Sequence, residues 1–315
     1  MMGIAALFPG QGSQFVGMGK DLAERWAPAR RVFETADEVL DGSLSRIAWE
    51  GPEEELRLTA NTQPALLAHS IAAWRVLEES GVTVGAVAGH SLGEYSAAVA
   101  AGAMDLADAL RTVRRRGELM QRAVPVGEGA MAAIIGLDDK GVADCCSRAA
   151  EVTGGVVIPV NFNAPGQVVI AGAASAVERA GALCREAGAR KVVPLSVSAP
   201  FHSPLMAPAR EGLAPTLEAL ELTDPRVPLY RNVDARPVRT AGELRDGLIR
   251  QVDSPVLWTA TIEAMIADGF DTFVEVGAGR VLSGLVRRVD RGVRCLAAGT
   301  VEQVEAVAGE LGRTS

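Results

Sequence analysis

The chain has 315 residues, 48% hydrophobic and 22% charged, with 31 basic against 39 acidic side chains and a formal net charge of -8. This length suits a large domain plus a smaller one, and the acidic balance argues against nucleic acid, whose phosphates need a basic face. No window approaches the ~18 to 20 apolar residues of a membrane span, and MMGIAALFPGQG lacks the basic leader and long apolar run of a secretory signal, so a cytoplasmic protein without a membrane partner is expected.

The first strand reads GIAALFPG and runs into a glycine-rich loop, Gly10 to Gln14. Helical periodicity from Asp21 to Leu40 places Leu22, Trp26, Ala29, Phe33 and Ala36 on one face, and a second helix covers Pro64 to Glu79. VTVGAVAG is a short strand bounded by glycines, followed by the small-residue helix GEYSAAVAAGAM and a helix over 106–122. Strands alternating with helices predict a mostly parallel, doubly wound α/β sheet.

Between Gly129 and Ser198 the rhythm changes to β-α-β-β-α-β: AMAAIIGL, a helix over 139–151, GVVIPVNF, GQVVIAG, a helix over 174–187 and RKVVPLSV. That order is the split βαβ of a ferredoxin-like unit. It predicts an inserted small domain over 129–198 within a larger one formed by 1–128 and 199–315. The remainder is expected to hold a helix after Ser203-Pro204, an extended VPLYRNVDA, helices over 241–252 and 258–268, and a strand TFVEVG entering a last helix. Four cysteines, Cys145, Cys146, Cys184 and Cys295, form no CxxC pair or zinc spacing and are expected as buried reduced thiols.

Gly89-His90-Ser91-Leu92-Gly93 matches G-x-S-x-G with a strand before it and a helix after it. Flanking glycines permit a sharp bend, the serine hydroxyl emerges at the carboxyl edge of the sheet, and the helix N-terminus offers free N–H groups to an oxyanion. A nucleophilic Ser91 needs a base, and the chain has only three histidines. His90 neighbours Ser91 and points to the opposite side, whereas His69 lies among apolar residues of a helix. His202 remains, on a loop stiffened by Pro200 and Pro204, with Ser203 placed as an N-cap and Pro204 in the first turn. For an acid behind the imidazole, Asp253, Asp271 and Glu275 are candidates among which the sequence does not choose.

The stretches FPGQGSQ, TQPALLAHSIA, GHSLGEYSAAVAAGAM, RRRGELMQ, NFNAPGQVVIAG, SAPFHSPLM, RQVDSPVLW and FVEVGAGRVLSGLVRR occur in that order from Phe8 to Arg288. Together they resemble the malonyl-CoA:acyl carrier protein transacylase family, including the discrete acyltransferases of polyketide synthases. The resemblance implies an α/β-hydrolase-like large domain with a ferredoxin-like insert, and ping-pong transfer of malonyl from malonyl-CoA to the phosphopantetheine thiol of an acyl carrier protein. It implies no bound cofactor, no metal and a monomer. In the family a main-chain carbonyl replaces the acid behind the histidine, and the matching position is Gln251. The implied oxyanion donors are the backbone N–H groups of Gln11 and Leu92.

The helix over 106–122 has an apolar stripe through Leu106, Leu110, Val113, Gly117 and Met120, with Arg114 and Arg116 on its two edges and Arg115 pointing away. Periodicity leaves Arg114 and Arg116 open; the family's RGxxM pattern selects Arg116 as the group that reads the malonyl carboxylate, which a guanidinium binds with two parallel hydrogen bonds. Phe201 resembles the aromatic of malonyl-selective members, where a ring crowds an α-methyl branch, and Gln63 and Asn163 match positions near the family's site. EVGAGRVLSG looks like a dinucleotide loop, but Leu282 stands where the third glycine is required, so strand-to-helix packing is expected there. Arg190, Lys191, Arg287 and Arg288 are expected to form a basic patch for an acidic carrier. Two rival readings remain: an editing acyl hydrolase using the same Ser91–His202 pair, and a non-catalytic docking module for carrier proteins.

Overall fold

Ala5, Ala6, Leu7 and Phe8 are wholly buried, as a strand covered on both faces must be. They belong to the centre of a sheet in the computed structural model, which describes residues 3–197 and 199–312. In chain order the strands are β1 (Gly3–Phe8), β2 (Ala86–Gly89), β3 (Gly129–Ile135), β4 (Val157–Ala164), β5 (Gln167–Ala173), β6 (Lys191–Pro194), β7 (Leu229–Tyr230), β8 (Pro237–Val238), β9 (Phe270–Val276) and β10 (Arg294–Ala298).

Six of them form one sheet in the order β10-β9-β1-β2-β7-β8, parallel except for the β7–β8 edge. The other four form an antiparallel sheet, β4-β5-β3-β6, with the helices Asp139–Thr153 and Ala174–Glu186 packed against it through Val142, Cys145, Ala149, Val177 and Ala180. The fold is therefore a two-domain α/β architecture: a larger, mostly parallel sheet and a smaller ferredoxin-like one. Residues 1–2, 198 and 313–315, which include the outer limits of both expected domains, lie outside the described residues. The smaller sheet is tied to the larger domain at Val256, in the segment before helix Trp258–Ala267: Phe162 N–H donates to the Val256 carbonyl at 3.0 Å, and Val256 N–H donates to the Val160 carbonyl at 2.8 Å.

Three expectations need correction. The helix predicted over 21–40 is two helices, Lys20–Arg25 and Ala27–Val39, separated by an extended Trp26. Pro28 lacks an N–H and its ring would clash with the carbonyl four residues back, so it suits the start of a second helix and not the middle of one. The helix predicted from Pro64 begins at Thr59, because Asn61 and Thr62 N–H groups already bond the Leu58 carbonyl at 2.7 and 2.8 Å, and Pro64 is accommodated inside it. Val281–Val289 is not the last helix: β10 and a helix Val301–Leu311 follow. The start of that final helix carries a legible cap, since Thr300 Oγ1 accepts from Gln303 N–H and Gln303 Oε1 accepts from Gly299 N–H at 3.0 Å.

Helix Thr59–Glu79 is buried along almost its whole length, which explains why its apolar residues surround it. His69 sits inside it and donates from Nε2 to the Gly299 carbonyl at 2.9 Å, a structural link to the C-terminal strand. Cys145, Cys146 and Cys184 are buried in the small domain, where desolvation pushes the Cys146 and Cys184 thiols up to about 12. Cys295 is only partly covered, because it lies on the edge strand β10. No helix among the described residues is long and apolar enough to cross a membrane.

Candidate active site

At the end of β2 the chain turns sharply, and Ser91 takes a φ of 52°, a left-handed conformation costly for a residue with a Cβ. The turn also requires its glycines. A Cβ on Gly89 would lie 1.9 Å from the Gly93 carbonyl carbon, and one on Gly93 would lie 2.0 Å from the Phe8 carbonyl oxygen. The helix Gly93–Ala100 is thereby pressed against β1, with its N-terminus beneath the serine.

The strained turn is held from outside by a residue that local motif reading did not single out. Asn232, just beyond β7, accepts from Ser91 N–H at 2.7 Å and donates from Nδ2 to the Gly89 carbonyl at 2.7 Å. Its own N–H donates to Glu94 Oε2 at 3.0 Å. The signal was available: a polar residue following a short strand at the carboxyl edge of a parallel sheet.

His202, like Ser91, is held at positive φ, 62°, and its ring meets the serine. Ser91 Oγ lies 2.7 Å from Nε2, and Nδ1 lies 2.9 Å from the Gln251 main-chain carbonyl. A carbonyl only accepts, so Nδ1 carries the proton, Nε2 presents its lone pair, and the serine hydroxyl donates to it. None of the three candidate acids stands behind the ring. Asp253 pairs with Arg210 at 3.0 Å, Asp271 accepts from Thr272, and Glu275 accepts from the Leu282 and Ser283 N–H groups. Ser203 does not cap the following turn through its side chain; Oγ donates back to the Pro200 carbonyl at 2.7 Å and so braces the histidine loop.

Of the two arginines that periodicity left open, Arg116 faces the serine and Arg114 reaches Asn61 on the outside. Arg116 is only 1% exposed. Its Nη1 donates to Gln63 Oε1 at 2.9 Å, and its Nη2 donates to Gln251 Oε1 at 2.8 Å and to Ser91 Oγ at 3.2 Å. Its Nε has no acceptor among the described residues. Tyr95 lies under the guanidinium, 5.6 Å from ring centroid to Cζ. No carboxylate among the described residues forms a salt bridge with it; the buried charge is held by two side-chain amides, the serine oxygen and the Tyr95 ring.

The electrostatics follow. Burial, and next the Arg116 charge, lower His202 to about 3, so its imidazole is neutral at ordinary pH and free to accept a proton. Burial pushes the Glu94 carboxyl up to about 7, although Gln251 and Asn232 donate to it and Arg231 and Arg116 favour its charged form. Burial likewise lowers Arg116.

These groups open onto a cleft of about 370 Å³ whose walls include Gln11, Gln63, His90, Leu92, Met120, Asn161 and Phe201. Neither the Gln11 nor the Leu92 N–H has a protein acceptor among the described residues, whereas those of Ser91, Gly93 and Glu94 are all used. Gln11's side chain donates to Thr59 Oγ1 at 3.4 Å. Asn163 is not in the cleft wall; it meets His90 Nε2 at 2.8 Å, and Asn161 on the same strand faces the cavity instead. His90 also packs against Trp258, with centroids 5.4 Å apart, which keeps its ring off the serine hydroxyl.

The glycine loop after β9 has no room for a diphosphate. Glu275 already occupies the helix N-terminus there, taking the Leu282 and Ser283 N–H groups at 2.9 and 2.7 Å. Arg190, Lys191, Arg287 and Arg288 are all exposed, the first pair at β6 and the second on helix Val281–Val289. Arg288 donates to Gln167 and to the Pro165 carbonyl, which brings that helix against the small domain's hairpin.

Comparison with known proteins gives a consistent picture. An acyl transferase domain family matches residues 6–313. The chain is 50% identical over 305 residues to the malonyl CoA-acyl carrier protein transacylase of Bacillus subtilis (strain 168), covering 97% of this chain and 96% of that protein. It resembles the crystal structure of an acyl carrier protein S-malonyltransferase from Vibrio cholerae O1 biovar eltor str. N16961, at a TM-score of 0.93, 50% identity and coverage of 96% and 99%. It also resembles a malonyl-transacylase solved in complex with its type II polyketide synthase acyl carrier protein, at a TM-score of 0.95, 46% identity and coverage of 98% and 99%.

An imidazole held near 3 does not titrate at its ordinary 6.5. Because only the neutral ring accepts the serine proton, acylation of Ser91 by an activated ester such as p-nitrophenyl acetate is expected to vary by less than about two-fold between pH ~8 and ~5. Stopped-flow burst rates check this; a fall centred near 6.5 would show an imbalance that the buried site does not predict.

Proposed function

Because the chain belongs to the malonyl-CoA:acyl carrier protein transacylase family, we propose that Ser91, His202, Gln251 and Arg116 divide the work of transfer among them. The reaction moves a malonyl group from malonyl-CoA to the phosphopantetheine thiol of an acyl carrier protein through a serine ester, in fatty acid or polyketide synthesis. The observation that carries the residue assignment is a single connected chain of contacts. It runs from the Gln251 carbonyl through His202 to Ser91 Oγ, with Arg116 Nη2 only 3.2 Å from that same oxygen.

Malonyl-CoA enters with its carboxylate toward Arg116, whose guanidinium is already aimed at the serine and has an N–H to spare. His202 Nε2 removes the Ser91 proton as Oγ attacks the thioester carbonyl. The resulting oxyanion is met by the unengaged N–H groups of Gln11 and Leu92. The tetrahedral adduct collapses, the C–S bond breaks, and the imidazolium gives its proton to the departing CoA sulfur. The carrier's phosphopantetheine thiol then occupies the vacated position. His202 takes its proton, the thiolate attacks the ester carbonyl, and Ser91 leaves with the proton returned to Oγ.

The malonyl carboxylate has a second effect. Bound to Arg116, it offsets the positive charge that depresses His202, so the imidazole becomes a stronger base when the correct substrate is in place. Phe201, only 8% exposed beside the histidine, narrows the space available to an α-methyl branch. Gln63 orients Arg116, and Asn163 supports His90 at the cleft's edge.

We assign residues 1–128 and 199–315 to the catalytic domain and 129–198 to the insert. We propose a monomer as the working unit, because Ser91, His202, Gln251 and Arg116 complete their mutual contacts without a residue from a second copy. Free cysteines agree with a cytoplasmic location. Arg190, Lys191, Arg287 and Arg288 are the surface we assign to the acidic carrier.

Brief exposure to malonyl-CoA is expected to leave a malonyl adduct on Ser91, read by mass spectrometry, and Ser91→Ala is expected to leave none. Free malonate released equally with and without carrier would favour hydrolysis, and a wild-type enzyme that never acquires the adduct would favour a docking module. Arg116→Ala is expected to lose malonyl transfer by about 100-fold or more while retaining or gaining acetyl transfer; equal loss of both would make Arg116 a fold residue. Reversing the four surface charges is expected to raise the carrier's KM at low salt without changing Ser91 malonylation. An unchanged KM would remove that surface from consideration.

A further inference from the structure

Gln251 has more to do than present one carbonyl. Its side-chain oxygen accepts from Arg116 at 2.8 Å, and its side-chain amide donates to the Ser91 carbonyl at 2.9 Å and to Glu94 Oε2 at 3.0 Å. All three contacts depend on which way round the amide lies. Flipped, its NH₂ would face the guanidinium, donor against donor, and its oxygen would face a carboxylate.

Glu94 is what fixes that choice. It is fully buried in a helix whose other residues are small or apolar, and it forms no salt bridge among the described residues. A carboxylate there is expensive to bury and needs a reason. Its Oε2 accepts from both Gln251 Nε2 and the Asn232 main-chain N–H, and its Oε1 has no partner. The group is thus an anchored acceptor aimed at the Gln251 amide.

We infer that Glu94 is a positioning residue for malonyl recognition, acting through the Gln251 amide to hold the Arg116 guanidinium against the nucleophile. The inference rests on the reading that Arg116 binds the malonyl carboxylate. Glu94 touches neither substrate nor reacting atoms. The His202 contact uses Gln251's main-chain carbonyl and not the side-chain relay that Glu94 anchors. What the geometry requires of Glu94 is an acceptor oxygen for the Gln251 amide and the Asn232 N–H.

The test compares malonyl-CoA with p-nitrophenyl acetate, which has no carboxylate to read. Glu94→Ala is expected to raise the malonyl-CoA KM by about ten-fold or more, while acylation by the acetate ester changes by less than about three-fold. Glu94→Gln can place its amide oxygen where Oε2 lies and is expected to stay within about three-fold of wild type on both. Should Glu94→Ala fail to fold, Glu94→Met fills a similar volume without the acceptor oxygen and is expected to show the same KM effect.

Equal losses on both substrates, or an unchanged malonyl KM, would overturn the inference. Damage as severe in Glu94→Gln as in Glu94→Ala would overturn the acceptor role. Arg116→Ala serves as the control. If it too leaves the malonyl KM unchanged, the carboxylate reading itself has failed; if it raises the KM and Glu94→Ala does not, only the Glu94 relay has failed.

Discussion

A positive charge buried without a direct ionic partner is the constraint around which this site is built. Burying an isolated ion costs several kcal/mol, and neutral hydrogen-bond partners recover only part of that. Gln63, Gln251 and the serine oxygen take three of Arg116's five N–H groups, and its Nε–H has no acceptor among the described residues. A carboxylate brought in by the substrate meets a guanidinium that is already desolvated, aligned and not committed to another anion. The same constraint explains the neutral support behind His202. An acid in place of the Gln251 carbonyl would sit close to Arg116, draw it away from the cleft and raise the imidazole's affinity for protons. A carbonyl fixes the tautomer without doing either.

Backbone strain is the second element, and it is distributed. Ser91 and His202 both occupy left-handed conformations, each worth about 1 to 3 kcal/mol of unfavourable energy. They persist because neighbouring contacts determine them from several sides. Asn232 bonds the main chain on both sides of His90, the glycines allow the helix to touch β1, and Ser203 and the prolines brace the histidine loop. Nucleophile and base are therefore delivered by loops but held like core residues, which keeps their oxygen–nitrogen separation at 2.7 Å.

How far this was visible in the sequence depends on whether each feature is local. The strand, glycine pair and helix around Ser91 lie within about a dozen residues, and their pattern specifies the turn. The ferredoxin-like order was readable for the same reason, since each of its elements carries its own periodicity. His202 emerged because the chain offers so few imidazoles. The partner behind it was not readable from residue chemistry, because a main-chain carbonyl looks the same at every position; only family resemblance pointed to Gln251. Asn232 reaches Ser91 across 141 residues of chain, and Glu94, only three residues past the serine, works through partners 138 and 157 residues away that no local spacing reveals. Trp26 was assigned to a continuous helix because apolar spacing ran through it, and the proline two residues later outweighed that pattern.

The bridge between β4 and Val256 makes the small domain a continuation of the large one's framework and not a separate jaw. Two main-chain bonds join that wall of the cleft to the large domain. Reach must then be supplied by the visitor: a slender, flexible prosthetic arm threads inward while the bulky body that bears it rests outside. Donor nucleotide and acceptor protein can take turns at one fixed aperture because both arrive on the same kind of tether.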